Sequence, residues 1–127
     1  MRKILIVEDE DILRESYEKI ISSEPYIVHV AKNGQEALDM CARNHYDLIL
    51  LDLMMPVLDG IGFLKHYDDQ DTKIILLTNL SSGDVLEQAL KLGADSNIVK
   101  ATLSPRELLS KIRYEVTSLA TEAGKAK

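Results

Sequence analysis

LILLDLMMPVLDGIG, residues 48–62, decides the fold and raises the question of function. Four aliphatic residues run straight into Asp52, and Pro56 and the pair Asp59-Gly60 follow closely. A short run rich in Leu and Ile, bounded by turn residues, reads as a strand covered on both faces. A buried strand has no use for a carboxylate at its end unless a cation or a set of donors offsets the charge.

Working outward, the same kind of run recurs along the chain. KILIV (Lys3–Val7), YIVHVA (Tyr26–Ala31), DLILL (Asp47–Leu51), KIILL (Lys73–Leu77) and SNIVK (Ser96–Lys100) read as five strands. YIVHVA is the most amphipathic and suits a sheet edge. Helical patterns separate the runs. In the first, Ile12, Leu13, Tyr17, Ile20 and Ile21 are expected to share one face. Gly34–Arg43, Ile61–Tyr67 and Asp84–Leu92 supply the next three, and Leu108, Leu109, Ile112 and Val116 mark the last. Ser104-Pro105-Arg106-Glu107 opens that helix as an N-cap, a first-turn proline and a capping box. Five strand-then-helix units predict an α/β single domain, (βα)5, with a doubly wound parallel sheet.

Composition sets the outer limits. The 127 residues fit one domain, with 46% hydrophobic and 28% charged content close to ordinary globular values. A net charge of -6 gives no basic field for direct nucleic acid binding or for an anionic membrane. The single Cys41 excludes an internal disulfide, and no apolar run is long enough for a membrane span. A soluble, cytoplasmic protein is expected.

In open α/β sheets, ligands bind beyond the carboxyl ends of the strands. Glu8, Asp9, Glu10 and Asp11 follow the first strand, Asp52 the third and Thr78 the fourth, and Lys100 ends the fifth. Glu8, Asp9 and Asp52 brought together would repel one another unless a cation intervened. Carboxylates without His or Cys favour a hard ion such as Mg²⁺. Lys100 suits a phosphoryl oxygen, Thr78 can donate to another, and an Asp can carry an aspartyl-phosphate. These residues read as a Mg²⁺-assisted phosphoryl acceptor.

At these residues the chain resembles the receiver domain of two-component response regulators. The matching motifs are Glu8-Asp9, DLMMPVLDG from Asp52 to Gly60, Thr78 and Lys100, all at the family spacing. The resemblance implies a flavodoxin-like sheet of strand order 2-1-3-4-5, with Asp52 as phosphoacceptor and Asp9 and Asp52 as direct Mg²⁺ ligands. It further implies that Glu8 acts through water, that the Met54 backbone carbonyl completes the ligand set, and that Thr78 and Lys100 bind the phosphoryl group. The implied partners are a sensor histidine kinase or phosphotransfer protein and an unknown downstream protein. The family's usual signalling surface is the face of the fourth helix, fifth strand and fifth helix, which serves a homodimer or a partner-bound monomer.

The receiver is expected over residues 3–120, with 121–127 a flexible tail and no effector within the chain. It is not an enzyme in the ordinary sense, although it catalyses its own phosphorylation and dephosphorylation. Three positions depart from the family pattern. Asn97 stands where an aromatic is usual, Ala101 where a proline follows the lysine, and Asn79 where a small residue follows the Thr. They predict a changed readout, a changed loop into the last helix, and a crowded approach to the phosphoryl group. Apolar Met54 and Leu80, two residues beyond Asp52 and Thr78, predict slow self-dephosphorylation.

The ordinary alternatives are structural. Asp52 could be a cap, Thr78 a strand end and Lys100 a solvated charge, but their convergence on one rim favours function. For Glu10 and Asp11 capping of the first helix is preferred. Cys41 reads as a small core residue, and His29, His45 and His66 as surface positions. Two functional rivals remain: a receiver-like interaction module with an uncoupled phosphorylation switch, and a phosphatase using Asp52 as nucleophile. Met54 occupies the position where haloacid dehalogenase-like phosphatases need a second acid, and no Gly-rich phosphate loop is present.

Overall fold

A computed structural model describes residues 1–69, 71–79 and 83–125. The elements are β1 (Lys3–Val7), α1 (Asp11–Ile21), β2 (Ile27–Ala31), α2 (Gly34–Cys41), β3 (Leu48–Asp52), α3 (Gly60–His66), β4 (Lys73–Thr78), α4 (Gly83–Lys91), β5 (Ser96–Val99) and α5 (Pro105–Lys125). All strand pairs are parallel and the order is β2-β1-β3-β4-β5, as expected.

Because successive side chains point to opposite sides of a sheet, each continuous aliphatic run feeds two cores at once. Leu5, Val7, Ile49, Leu51, Ile74 and Leu76 pack toward α2, α3 and α4. Ile4, Ile6, Leu48, Leu50, Ile75 and Leu77 pack with Tyr17 and Ile21 of α1 and Leu108 and Ile112 of α5. The same alternation carries past the strand ends. Glu8, Asp52 and Lys100 continue the α1/α5-side rows Ile4-Ile6, Leu48-Leu50 and Ile98, whereas Thr78 continues the opposite row Ile74-Leu76.

Several local expectations change. Ile12 is 82% exposed rather than on the packed face of α1, because that face begins one residue later, at Leu13. Glu10 is the N-cap of α1 but its side chain makes no capping hydrogen bond, and Asp11 instead pairs with Arg14. His29 is not a plain surface residue: its Nδ1 lies 2.7 Å from the buried Tyr46 hydroxyl. Asp47 lies just outside β3, where its carboxylate accepts the Lys3 N–H at 2.8 Å and ties β1 to the start of β3. Asp95 likewise accepts the Ile74 N–H at 2.8 Å, so it stitches β4 to the approach to β5 rather than facing a partner. At the head of α5, Ser104 Oγ accepts the Glu107 N–H, the first half of the expected capping box, while the Glu107 carboxylate takes the Ser104 hydroxyl proton rather than the Ser104 backbone N–H.

The β3–α3 loop folds tightly back on the end of β3. The Gly60 N–H donates to Leu53 O, and a Cβ on Gly60 would lie 2.8 Å from the Leu53 Cα, so no larger residue fits. Asp59 caps α3 by accepting the Gly62 N–H at 2.8 Å. The crest is a three-residue turn closed by the Leu58 N–H on Pro56 O, with Val57 at φ 68. A β-branched residue there is strained, because positive φ drives Cβ against the backbone. Val57 is 82% exposed and has little packing to offset that strain. Val57→Gly should therefore raise stability by roughly 0.5–1 kcal/mol, the relief of positive φ less the chain entropy of glycine. Urea unfolding measures it, and an unchanged or lowered midpoint would show that the valine is not strained.

Candidate functional site

Three strand ends build the site. β1 delivers Glu8, β3 ends on Asp52, and β5 runs into Lys100 at the start of a single 3-10 turn, Lys100–Thr102. The Lys100 Nζ lies 2.7 Å from Glu8 Oε1 and 2.9 Å from Asp52 Oδ2. Glu8 is fully buried, and Asp52 and Thr78 are each 3% exposed. The backbone contributes too: the Met54 N–H donates to Asp52 Oδ1 at 3.2 Å and the Glu10 N–H to Glu8 Oε2 at 3.2 Å.

One ammonium cannot balance two buried carboxylates. Burial pushes Glu8 from the ordinary 4.5 up to about 7, with neighbouring Asp52 adding to the effect and Lys100 and the Glu10 N–H opposing it. Burial also raises Asp52, against the pull of its hydrogen bonds to Glu8, Lys100 and the Met54 N–H. For Lys100 burial works downward, but the Glu8 and Asp52 carboxylates outweigh it and hold the ammonium firmly protonated.

The donor set fits a hard divalent cation. Carboxylate oxygens of Glu8, Asp9 and Asp52 lie within 4.8 Å of one another. Glu8 Oε1 is buried and receives no well-formed hydrogen bond from a described residue, only the Lys100 contact. The carboxylates outnumber the one ammonium beside them, and an all-oxygen set without His or Cys favours a hard cation such as Mg²⁺ over softer metals.

The residues singled out in the sequence separate into two groups. Glu8, Asp9, Asp52 and Lys100 come together at one rim. Thr78 does not join their contacts. Its hydroxyl donates to the Ile98 carbonyl at 3.2 Å and faces the Asn97 amide at 3.5 Å. Met54 follows Asp52 with its side chain 59% exposed, Asn79 is exposed, and Leu80 lies outside the described residues. The Cys41 thiol is half-buried against the α2-side core, which pushes it up to about 11 and leaves it inert at neutral pH.

Arg14 is the residue the sequence reading missed. From the first turns of α1 its Nη1 reaches the Glu8 carbonyl at 3.0 Å and the Asp9 carbonyl at 3.4 Å, while Nη2 pairs with Asp11. It thereby ties down the backbone of the acidic loop, and the one carboxylate it meets is that of Asp11. The available signal was an Arg three residues after Asp11, spaced to fold back along a helix.

A doubly wound parallel sheet with acids, a hydroxyl residue and a lysine at its carboxyl rim defines a class of open α/β domains that place their ligand sites beyond the carboxyl ends of the strands. The comparisons narrow the class. The family model for the response regulator receiver domain matches residues 4–113. The chain belongs to the response regulator receiver domain family.

It is 44% identical over 112 residues to the probable transcriptional regulator ycf27 of Porphyridium aerugineum, covering 87% of this chain and 46% of that protein. It is 39% identical over 112 residues to the transcriptional regulatory protein SrrA of Staphylococcus aureus (strain NCTC 8325 / PS 47), with coverage of 87% and 46%. The chain thus spans less than half the length of these curated relatives. Among solved structures, the CheY-like receiver domain protein of Methanospirillum hungatei JF-1 superposes with a TM-score of 0.90 at 30% identity, covering 96% of this chain and 98% of that one. Chemotaxis response regulator CheY4 of Vibrio cholerae gives 0.82 at 29% identity, covering 91% and 98%.

The raised Glu8 has a consequence for stability. A carboxyl that holds its proton more tightly when folded favours the folded state fully below about 4.5, and that contribution is lost as pH rises through about 7. In chelator, Glu8→Gln should become more stable relative to wild type by about 2–3 kcal/mol between pH 5 and pH 8. At pH 8, Mg²⁺ should stabilise wild type more than the variant. Parallel pH profiles from urea unfolding would contradict this account of Glu8.

Proposed function

We propose that this receiver domain is a Mg²⁺-dependent phosphoacceptor in a two-component phosphorelay, taking the phosphoryl group on Asp52 from a sensor histidine kinase or phosphotransfer protein. The observation that carries the reading is the Lys100 ammonium, which contacts both Glu8 and Asp52 beside the Asp9 carboxylate. Asp9 and Asp52 would ligate the ion directly, with the Met54 carbonyl, and Glu8 through water. When bound, the ion supplies charge neutralisation for the incoming phosphoryl oxygens.

The transfer needs little covalent machinery from the protein. An Asp52 carboxylate oxygen attacks phosphorus, the phosphorus–nitrogen bond of the phosphohistidine breaks, and its electron pair leaves with the imidazole, which takes up a proton. The Met54 N–H and Lys100 hold Asp52 in place for that attack, at 3.2 Å and 2.9 Å. Once the carboxylate carries the phosphoryl group as an acyl phosphate, Lys100 is free to pair with that group, which carries more charge than the carboxylate it replaces. Thr78 becomes the second donor when its hydroxyl turns from Ile98.

The receiver unit proposed is residues 3–120, working in the cytoplasm, with α5 carrying the chain on to Lys125. Among the described residues no helix is long and apolar enough to cross a membrane. Ile12, Met54 and Val57, 82%, 59% and 82% exposed, lie at the site rim as apolar surface for a phosphodonor protein. The output passes to a downstream protein, or to a second copy through the α4-β5-α5 face.

With Mg²⁺ and a small acyl phosphate, the intact mass of wild type should rise by one phosphoryl group and that of Asp52→Asn should not. No gain in wild type sinks the reading, and a gain in Asp52→Asn moves the acceptor elsewhere. The phosphoryl group should also persist, because the exposed thioether of Met54 orients no hydrolytic water. Met54→Glu should shorten its lifetime, and prompt loss from wild type in Mg²⁺ would refute the slow-release account.

A further inference from the structure

Thr78 and Asn97 sit on one face of the sheet. Asn97 pairs in register with Leu76, which packs on the α3/α4 side, and Thr78 lies two residues on from Leu76. The two are therefore diagonal neighbours across adjacent strands, within side-chain reach. The geometry agrees: Asn97 Nδ2 lies 3.5 Å from Thr78 Oγ1, and the hydroxyl proton goes to the Ile98 carbonyl at 3.2 Å.

A threonine hydroxyl has one proton to give. While Ile98 O accepts it, Thr78 cannot donate to a phosphoryl oxygen on Asp52. Thr78 is 3% exposed, so water does not readily replace the Ile98 and Asn97 contacts. Asn97 is only partly buried, so its amide can turn to solvent once Thr78 leaves. The resting arrangement is thus a hydrogen-bonded holding position, and its release frees a side chain on the face that α4 covers.

We infer that Asn97 is a positioning residue that holds the Thr78 hydroxyl against β5 in the unphosphorylated domain, and that its release is the first movement passed toward α4. This rests on the phosphoacceptor reading of Asp52. Asn97 acts only through Thr78. Removing its amide weakens the resting state by one long hydrogen bond and leaves the loaded state untouched, so loading becomes easier.

The test is a double-mutant cycle with beryllofluoride and Mg²⁺, affinity being measured by titration calorimetry. Asn97→Ala and the similarly branched Asn97→Leu should each tighten binding about two- to fivefold, the worth of one long hydrogen bond. In a Thr78→Val background neither should change it. Equal effects in both backgrounds, no effect, or weaker binding would overturn the holding role while leaving Asp52 as acceptor. Failure of wild type to bind beryllofluoride at all would overturn the phosphoacceptor reading and this inference with it. Side-chain amide resonances of Asn97 should move on loading in wild type, and static signals would also count against the release.

Discussion

The interaction on which the rest depends is the Lys100 ammonium held between Glu8 and Asp52 at 2.7 and 2.9 Å. It joins the ends of β1, β3 and β5, and β5 is separated from β3 by the whole width of β4. A lysine can span that gap because its charge rides on a flexible four-carbon stem, whereas a planar guanidinium would demand a fixed fork. The pairing is incomplete by one charge. Two buried carboxylates face one partly buried ammonium, and the cost of burying their charge appears as the raised Glu8 and Asp52. A domain built only for stability would place apolar groups there. Under the proposed function, that imbalance is what a cation and a phosphoryl group would relieve.

Everything near the triad serves to keep it poised. Arg14 sits six residues from Glu8 and grips the carbonyls of Glu8 and Asp9, which confines the acidic loop while adding no direct neutralisation to the carboxylates. The close packing of Gly60 against Leu53 brings the β3–α3 loop back over the strand end, so the Met54 N–H meets Asp52. The exposed, positive-φ Val57 at the crest of that loop shows that its path is set by these anchors rather than by local preference.

Much of this was legible in the sequence, and the reason is physical. Doubly buried strands must be continuous aliphatic runs, so five of them stood out, and any acid, hydroxyl or lysine at their ends fell on one rim by the geometry of parallel winding. What stayed hidden depends on side-chain direction at a single turn. Ile12 reads as core by its spacing but lies on the open side of α1, and Arg14, which no motif singles out, folds back onto the carbonyls of the acidic loop. His29 reads as surface on an edge strand, yet it covers the hydroxyl of Tyr46, which no periodicity announces. Charges on the α4-β5-α5 face proved partly committed within the fold: Lys91 lies near Glu87, Lys111 near Glu115, Arg113 meets Glu24, and Asp95 takes a backbone N–H. Counting charges in the sequence overstates what that face offers a partner.

The pleat of the sheet also bears on how the phosphorylation proposed at Asp52 would reach the other side. Glu8, Asp52 and Lys100 continue the rows that face α1 and α5, while Thr78 and Asn97 belong to rows that face α3 and α4. Between the two faces lies a close-packed sheet that transmits little by gradual deformation. A hydroxyl at the very end of β4 is different, because it stands where the sheet stops and can turn from one side to the other by rotation about χ1. Thr78 has the β5 carbonyl and amide as partners and one proton to give, and under the proposed function a phosphoryl oxygen would compete for that proton. That makes it a two-position element rather than a continuous one, which is what a signal crossing a rigid sheet requires.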